Sequence, residues 1–215
     1  MNKSVYSLVL MDDVVQEIDR LAYENGSSRS AMINEILADY VSYITPEKRM
    51  REIFSQVERL LTAGSNFQVL LQPSDSMFSL RSALAYKYNP TVRYSVELSR
   101  RIAPAIGELR VSVRSQNSTL RLYMLQFFKL WSKIEQSMVG RVDCAMADDK
   151  YVRRLMPGDD RELDNEALGS AIAAYIRLFD TALQLFFHLL DQPETAIVRM
   201  ESLYGDYLRS APAIL

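Results

Sequence analysis

The side chains that most often do chemistry are few in this 215-residue chain and poorly grouped. The single histidine, His188, lies inside the apolar string LQLFFHLL and reads as a packed or boundary residue, not a base. The single cysteine, Cys144, sits beside Asp143 and near further acids, without the electropositive surroundings of a reactive thiolate. One cysteine also excludes an internal disulfide and fits a reducing compartment. Asp148-Asp149 and Asp159-Asp160 flank a loop and could hold a hard cation, but solvated turn residues explain them more simply. The chain has no glycine-rich phosphate loop, no His/Cys cluster and no nucleophile elbow. Neither catalysis nor a metal or cofactor is expected. Two arrangements keep chemical content. Ser28-Arg29-Ser30 stands at a helix start, where unpaired N–H groups and the helix dipole favour an anion. Arg81, Lys87, Arg93, Arg110 and Arg114 alternate with apolar residues and would share one face of a sheet; a solvated face is the simpler reading, a contact surface for an anionic partner the sharper one.

The elements that must position these groups begin with VYSLVLMDD (5–13), whose alternation is that of a short strand. Tyr6, Leu8 and Leu10 would point one way and Val5, Ser7 and Val9 the other. Residues 12–26 then carry a helical stripe of Val14, Ile18, Leu21 and Ala22, opened by Asp12-Asp13 and closed by Asn25-Gly26. Ser28 can cap a second helix with Ile33, Ile36, Leu37, Tyr40, Val41 and Ile44 on its inner side, ended by Thr45-Pro46. A strand and two helices within 45 residues cannot bury both stripes and pair the strand, so this module should need another chain.

A connecting helix is predicted over 46–64, with Met50, Ile53, Phe54, Val57, Leu60 and Leu61 as its stripe. The period then changes to two. Runs at 77–88, 92–98 and 107–116, with an Asn89-Pro90 turn, predict a three-stranded antiparallel meander, one face apolar and one rich in arginine. FQVLLQ (67–72) fits a strand or a helical turn equally. Residues 118–139, 161–190 and 194–209 read as helices, and 140–160 as a loop with a short helix. Tyr86, Tyr88, Tyr94, Tyr123, Phe127, Phe128 and Trp131 could line a small-molecule effector pocket, though core packing accounts for them more cheaply. The expected class is mainly α with small β: a module at 1–45, a connecting helix at 46–64 and an α+β domain at 65–215. Hydrophobic residues are 48%, charged residues 24% and the net charge −2, values of a soluble globular protein with no whole-chain pull on a polyanion. The most apolar stretch, 171–190, is interrupted by Arg177, Asp180 and His188, and reads as a core helix. A cytoplasmic protein without a membrane partner is expected.

The string YSLVLMDDVVQEIDRLAYENGSSRSAMINEILADY (6–40), with its strand-ending Leu10, Gly26 and the GxSRSxxI pattern to Ile33, resembles the ribbon-helix-helix family of DNA-binding proteins, most closely its CopG-type branch. The resemblance is confined to residues 1–45. It implies that two chains pair their strands into an antiparallel ribbon laid in the major groove. The groove-side positions here are Lys3, Val5, Ser7 and Val9, and the phosphate contacts fall on Ser28, Arg29 and Ser30. The implied function is a homodimeric, sequence-specific DNA-binding protein, a transcriptional repressor with a C-terminal oligomerisation or effector domain. An accessory DNA-binding protein of a mobile element or partition system fits the same module. So does an antitoxin-like interaction component that uses the ribbon only to dimerise.

Overall fold

A computed structural model describes residues 4–64, 66–71, 74–103, 105–156 and 163–211, with Ala213 and Leu215. The chain divides into two compact units, Met1–Lys48 and Arg49–Leu215.

In the first unit, helix α1 (Asp12–Glu24) and helix α2 (Arg29–Tyr40) follow from local signals. Asp12 and Asp13 occupy the first turn of α1, where the helix dipole favours negative charge. The chain leaves α1 through Gly26, whose φ of +59° is the left-handed conformation that glycine adopts without penalty. There the Ser27 N–H donates to the Ala22 carbonyl at 2.8 Å. Ser28 then caps α2, its Oγ accepting from the Ala31 N–H at 3.3 Å. The two helices meet over a small core of Ile18, Ala22 and Met32, flanked by Leu21 and Ile33.

Two expectations differ from this unit. Residues 4–11 form no strand, because a strand needs a hydrogen-bonding neighbour and the single chain supplies none. The stripe expected on α2 is not internal in the single chain: of its residues only Ile33 is partly covered and Ile36, Leu37, Tyr40, Val41 and Ile44 are exposed, while Met32 and Ala38 are the buried positions.

The second unit is α+β. Helix α3 (Pro46–Thr62) contributes Met50, Ile53, Phe54, Val57 and Leu61 to the main core, so this segment is a structural layer of the larger unit and not a spacer. The boundary between the units falls inside its first turn. The sheet has six strands where three were expected: β1 (Gln68–Val69), β2 (Met77–Ala83), β3 (Thr91–Ala103), β4 (Ala105–Val113), β5 (Cys144–Met146) and β6 (Lys150–Leu155). Their order is β1-β2-β3-β4-β6-β5, and every neighbouring pair is antiparallel. β1 resolves the ambiguity of FQVLLQ in favour of a strand. β5 and β6 replace the loop expected at 140–160. β6 departs from the usual alternation because Arg153 stands at an inward position of YVRRL, between the buried Tyr151 and Leu155, and β5 is only three residues long. β2 ends at Ala83, and Leu84 folds back inside while Tyr88 is exposed with φ +64°.

Helices α4 (Ser118–Val139), α5 (Asn165–His188) and α6 (Pro193–Ser210) complete the layer on the apolar face of the sheet. Asn117 and Asp164 cap α4 and α5 through their side-chain oxygens. α5 is the one described helix long and apolar enough to cross a membrane, and 56% of its most apolar window is buried within the protein. Tyr94, Phe127, Phe128 and Trp131 are fully buried, Tyr94 edge-on to Phe67 and Phe179 and the others stacked on neighbouring rings, which makes them core and not the lining of an effector pocket.

Close approach of α5 to α3 depends on Gly169. A Cβ there would stand 2.8 Å from the Ile53 carbonyl oxygen and 2.8 Å from the Gln56 Cβ. Gly169→Ala is expected to destabilise the protein by about 1–3 kcal/mol, as overpacking does, read from the urea midpoint at unchanged slope.

Candidate nucleic-acid interface

The groove-side residues of the first unit are where a partner could reach them. Val5, Ser7 and Val9 are exposed on the unpaired segment 4–11, with Tyr6 and Leu8 exposed alongside. Lys3 lies outside the described residues. Val5 and Val9 can offer methyl groups and Ser7 a hydroxyl; none of the three can make a bidentate base contact.

At the start of α2 the three expected phosphate ligands have different surroundings. Ser28 is engaged as the cap, while Ser30 is exposed in the first turn. Arg29 is held by Asp19 of α1 in a fork, Nε to Oδ1 at 2.6 Å and Nη2 to Oδ2 at 2.5 Å. The Arg29 guanidinium keeps the Asp19 carboxyl below the usual aspartate range. A phosphate at this helix end must therefore share Arg29 with Asp19 or displace it. Arg20, the other described basic residue of the stretch 4–45, is tied to Glu17 and Glu24.

The second unit presents the open face of its sheet. Arg81, Arg93 and Arg110 all lie on that face, opposite the helices. Lys87 is exposed in the turn between β2 and β3, and Arg114 is exposed just past β4. The three strand arginines are not equivalent. Arg110 pairs with Glu97 at 3.1 Å and with Glu108. Arg81 donates to Gln68 Oε1 at 3.1 Å and Arg93 to Ser79 Oγ at 3.3 Å, both neutral acceptors.

Two buried polar sites escaped the sequence reading. Glu135 and Arg153 form an ion pair, Oε1 to Nε at 3.1 Å, with both side chains almost wholly buried. Tyr175 donates to Glu135 Oε1 at 2.9 Å and Tyr151 to Oε2 at 3.0 Å, and the Arg153 guanidinium carbon lies 4.5 Å from the centre of the Tyr175 ring. Burial pushes the Glu135 carboxyl up, and Arg153 and the tyrosine hydroxyls pull it back. The available signal was spacing: Glu135 continues the Phe127–Trp131 row by one more step of four. The second site is Asp180 of α5. Its Oδ1 accepts from Ser82 Oγ at 2.6 Å and from the Tyr94 hydroxyl at 2.7 Å. Asp180 also lines a cleft of about 460 Å³ with Asn66, Phe67, Arg177 and Thr181. Burial raises its pKa against these hydrogen bonds.

His188 is exposed in the last turn of α5, and Cys144 Sγ lies 3.3 Å from Ser132 Oγ. Asp148 is paired with Arg121 at 2.5 Å. Asp159 and Asp160 lie outside the described residues, and the described ones hold no cluster of three His, Cys, Asp or Glu. No protein-family model, curated protein or solved structure matches the chain.

Two outcomes test the buried sites. Arg153→Met leaves Glu135 as an uncompensated buried charge and should cost about 3–5 kcal/mol; Glu135→Gln in the same chain should recover part of the loss in a double-mutant cycle. For Asp180 the folded carboxyl titrates above the ordinary value of 3.8, so protonation favours the fold. The wild type therefore gains stability as pH falls through the folded pKa towards 3.8, and lacks that gain above it. Asp180→Asn cannot ionise, so its stability relative to wild type should be highest at neutral pH and decline on acidification in urea titrations.

Proposed function

We propose that this chain is a homodimeric DNA-binding regulator of the ribbon-helix-helix kind, a cytoplasmic transcriptional repressor that acts by occupying its operator. The C-terminal α+β unit serves oligomerisation or effector sensing. The observation that carries the reading is the apolar surface of the first unit. Tyr6 and Leu8 are 81% and 60% exposed, and Leu37 and Val41 remain 52% and 68% exposed. An unpaired segment with such residues, beside helices whose stripe is half uncovered, is completed by a second copy of itself. The partner's segment supplies the backbone hydrogen bonds and its helices the missing apolar contacts. In the paired ribbon Lys3, Val5, Ser7 and Val9 face the groove, Ser7 reading a base edge and the valines touching thymine methyls. Ser28, Arg29 and Ser30 approach phosphate.

A second reading, that the module only dimerises, is favoured by the Asp19–Arg29 fork and by charge. Across residues 1–45, Lys3, Arg20 and Arg29 stand against seven acids, Asp12, Asp13, Glu17, Asp19, Glu24, Glu35 and Asp39. The two readings separate in one set of measurements. The wild type should sediment at twice its 24.7 kDa or more, and Leu37→Lys should shift it towards monomer. Selection from random duplexes at moderate salt should enrich a roughly palindromic site. Ser7→Ala should alter the preferred sequence, and Arg29→Ala should weaken all sequences alike. A dimer that enriches nothing leaves the dimerisation reading and removes the repressor.

A further inference from the structure

The strand register gathers three basic residues without acidic partners into one line. Gln68 pairs with Arg81, Arg81 with Arg93, Arg93 with Ser112 and Ser112 with Lys150, so these five form a single transverse row through β1, β2, β3, β4 and β6. With strands about 4.8 Å apart, Arg81 to Lys150 spans roughly 14 Å. The row contains no acid. Arg81, Arg93 and Lys150 are exposed, and none of the three has an acidic partner among the described residues. The acids of this face lie two rows away, where Glu97 opposes Glu108, and both are spent on Arg110.

Such a row carries a cost in the isolated sheet. Arg81 and Arg93 are direct cross-strand neighbours, and like charges directly opposite each other destabilise a pair of strands. An anion bridging them reverses the sign of that contact. The neutral acceptors Gln68 and Ser79 hold one nitrogen of each guanidinium and leave the others to donate outward.

We infer that this row is a second nucleic-acid contact, a sequence-independent seat for the phosphate backbone of duplex DNA. Duplex is favoured over single strands by what the face lacks. The tyrosines of its strands, Tyr94 and Tyr151, point into the core, and the exposed Tyr88 lies in the β2–β3 turn and not in the row, so the row itself offers no aromatic platform to unstacked bases. A duplex presents one negative charge per about 1.7 Å of axis, a density that a row of three cations can meet at several points. The inference rests on the DNA-binding reading for its partner, but not on the ribbon for its contacts.

The test uses the full chain and a triple variant, Arg81→Gln, Arg93→Gln and Lys150→Gln, with circular dichroism to confirm the fold. A matched control, Lys129→Gln, Lys133→Gln and Arg199→Gln, removes three exposed charges from α4 and α6. Affinity is measured against salt for a selected duplex, a scrambled duplex and a single strand. The sheet variant should weaken both duplexes alike, and its slope of log affinity on log salt should be shallower by about 2–3, near 0.9 per lost phosphate contact. The control should keep the wild-type slope. An unchanged slope in the sheet variant overturns the inference while leaving the regulator intact. An equal change in the control also overturns it, since net charge alone is then responsible, as does a wild-type preference for the single strand. Duplex binding without sequence preference, still lost in the sheet variant, removes the repressor and upholds the sheet contact. A wild type that binds no duplex removes both.

Discussion

Burial sets the terms for the N-terminal unit. Two helices of about three turns each can cover only a little apolar surface between them, and here the covered part amounts to Ile18, Ala22, Met32 and their close neighbours. The same unit carries an apolar segment with nothing to pair against and a helix whose outer positions are Leu37, Tyr40 and Val41. Short helices gain most of their stability from tertiary packing, so a unit in this condition is incomplete by its own energetics. The proposed dimer follows from that deficit before any appeal to DNA. It explains why the residues that would make the interface are apolar.

The larger unit meets the opposite condition. Its helices cover one face of the sheet so fully that Tyr94, Phe127, Trp131 and Phe179 are removed from solvent, and a buried ion pair is tolerated among them. Glu135 and Arg153 need each other at that depth, since either alone would be a charge without a solvent. Such a pair is weak evidence for stability and better evidence for a fixed arrangement of α4 against β6. With one face closed in this way, the surfaces left for recognition are the open face of the sheet, its edges, the outer sides of the helices and the cleft beside Asp180.

What could be read from the sequence divides along physical lines. The helices were legible because their stripes and caps are local and agree with each other: Asn117 and Asp164 stand where the chain turns into α4 and α5. β2, β3 and β4 were legible from strict alternation. β6 was not, because an inward arginine breaks the alternation and its justification, Glu135, lies on a helix elsewhere, and β5 is too short, at three residues, to show a period. The candidate site was legible in residue types but not in their pairing. Arg29 was visible as a helix-start cation, while its capture by Asp19 is a contact between two helices that no spacing rule announces. The five basic residues of the sheet looked alike in sequence, and only register separates Arg110, neutralised by two glutamates, from Arg81 and Arg93.

That separation bears on how a Val-Ser-Val ribbon could serve a DNA-binding protein at all. Base contacts decide which sequence is held, whereas phosphate contacts supply most of the affinity and all of its salt dependence. A ribbon of methyl groups and one hydroxyl can discriminate weakly, but it adds little attraction, and the acids around it subtract some. Affinity must then come from other cations. In this chain Arg81, Arg93 and Lys150 form such a row on the sheet, without acidic partners among the described residues. Discrimination and attraction, combined on one ribbon where its side chains are arginine or lysine, would here be divided between two units of the same chain. Such a division makes the ribbon's poor chemistry tolerable, because a weak reader needs only to bias where a separately anchored protein comes to rest.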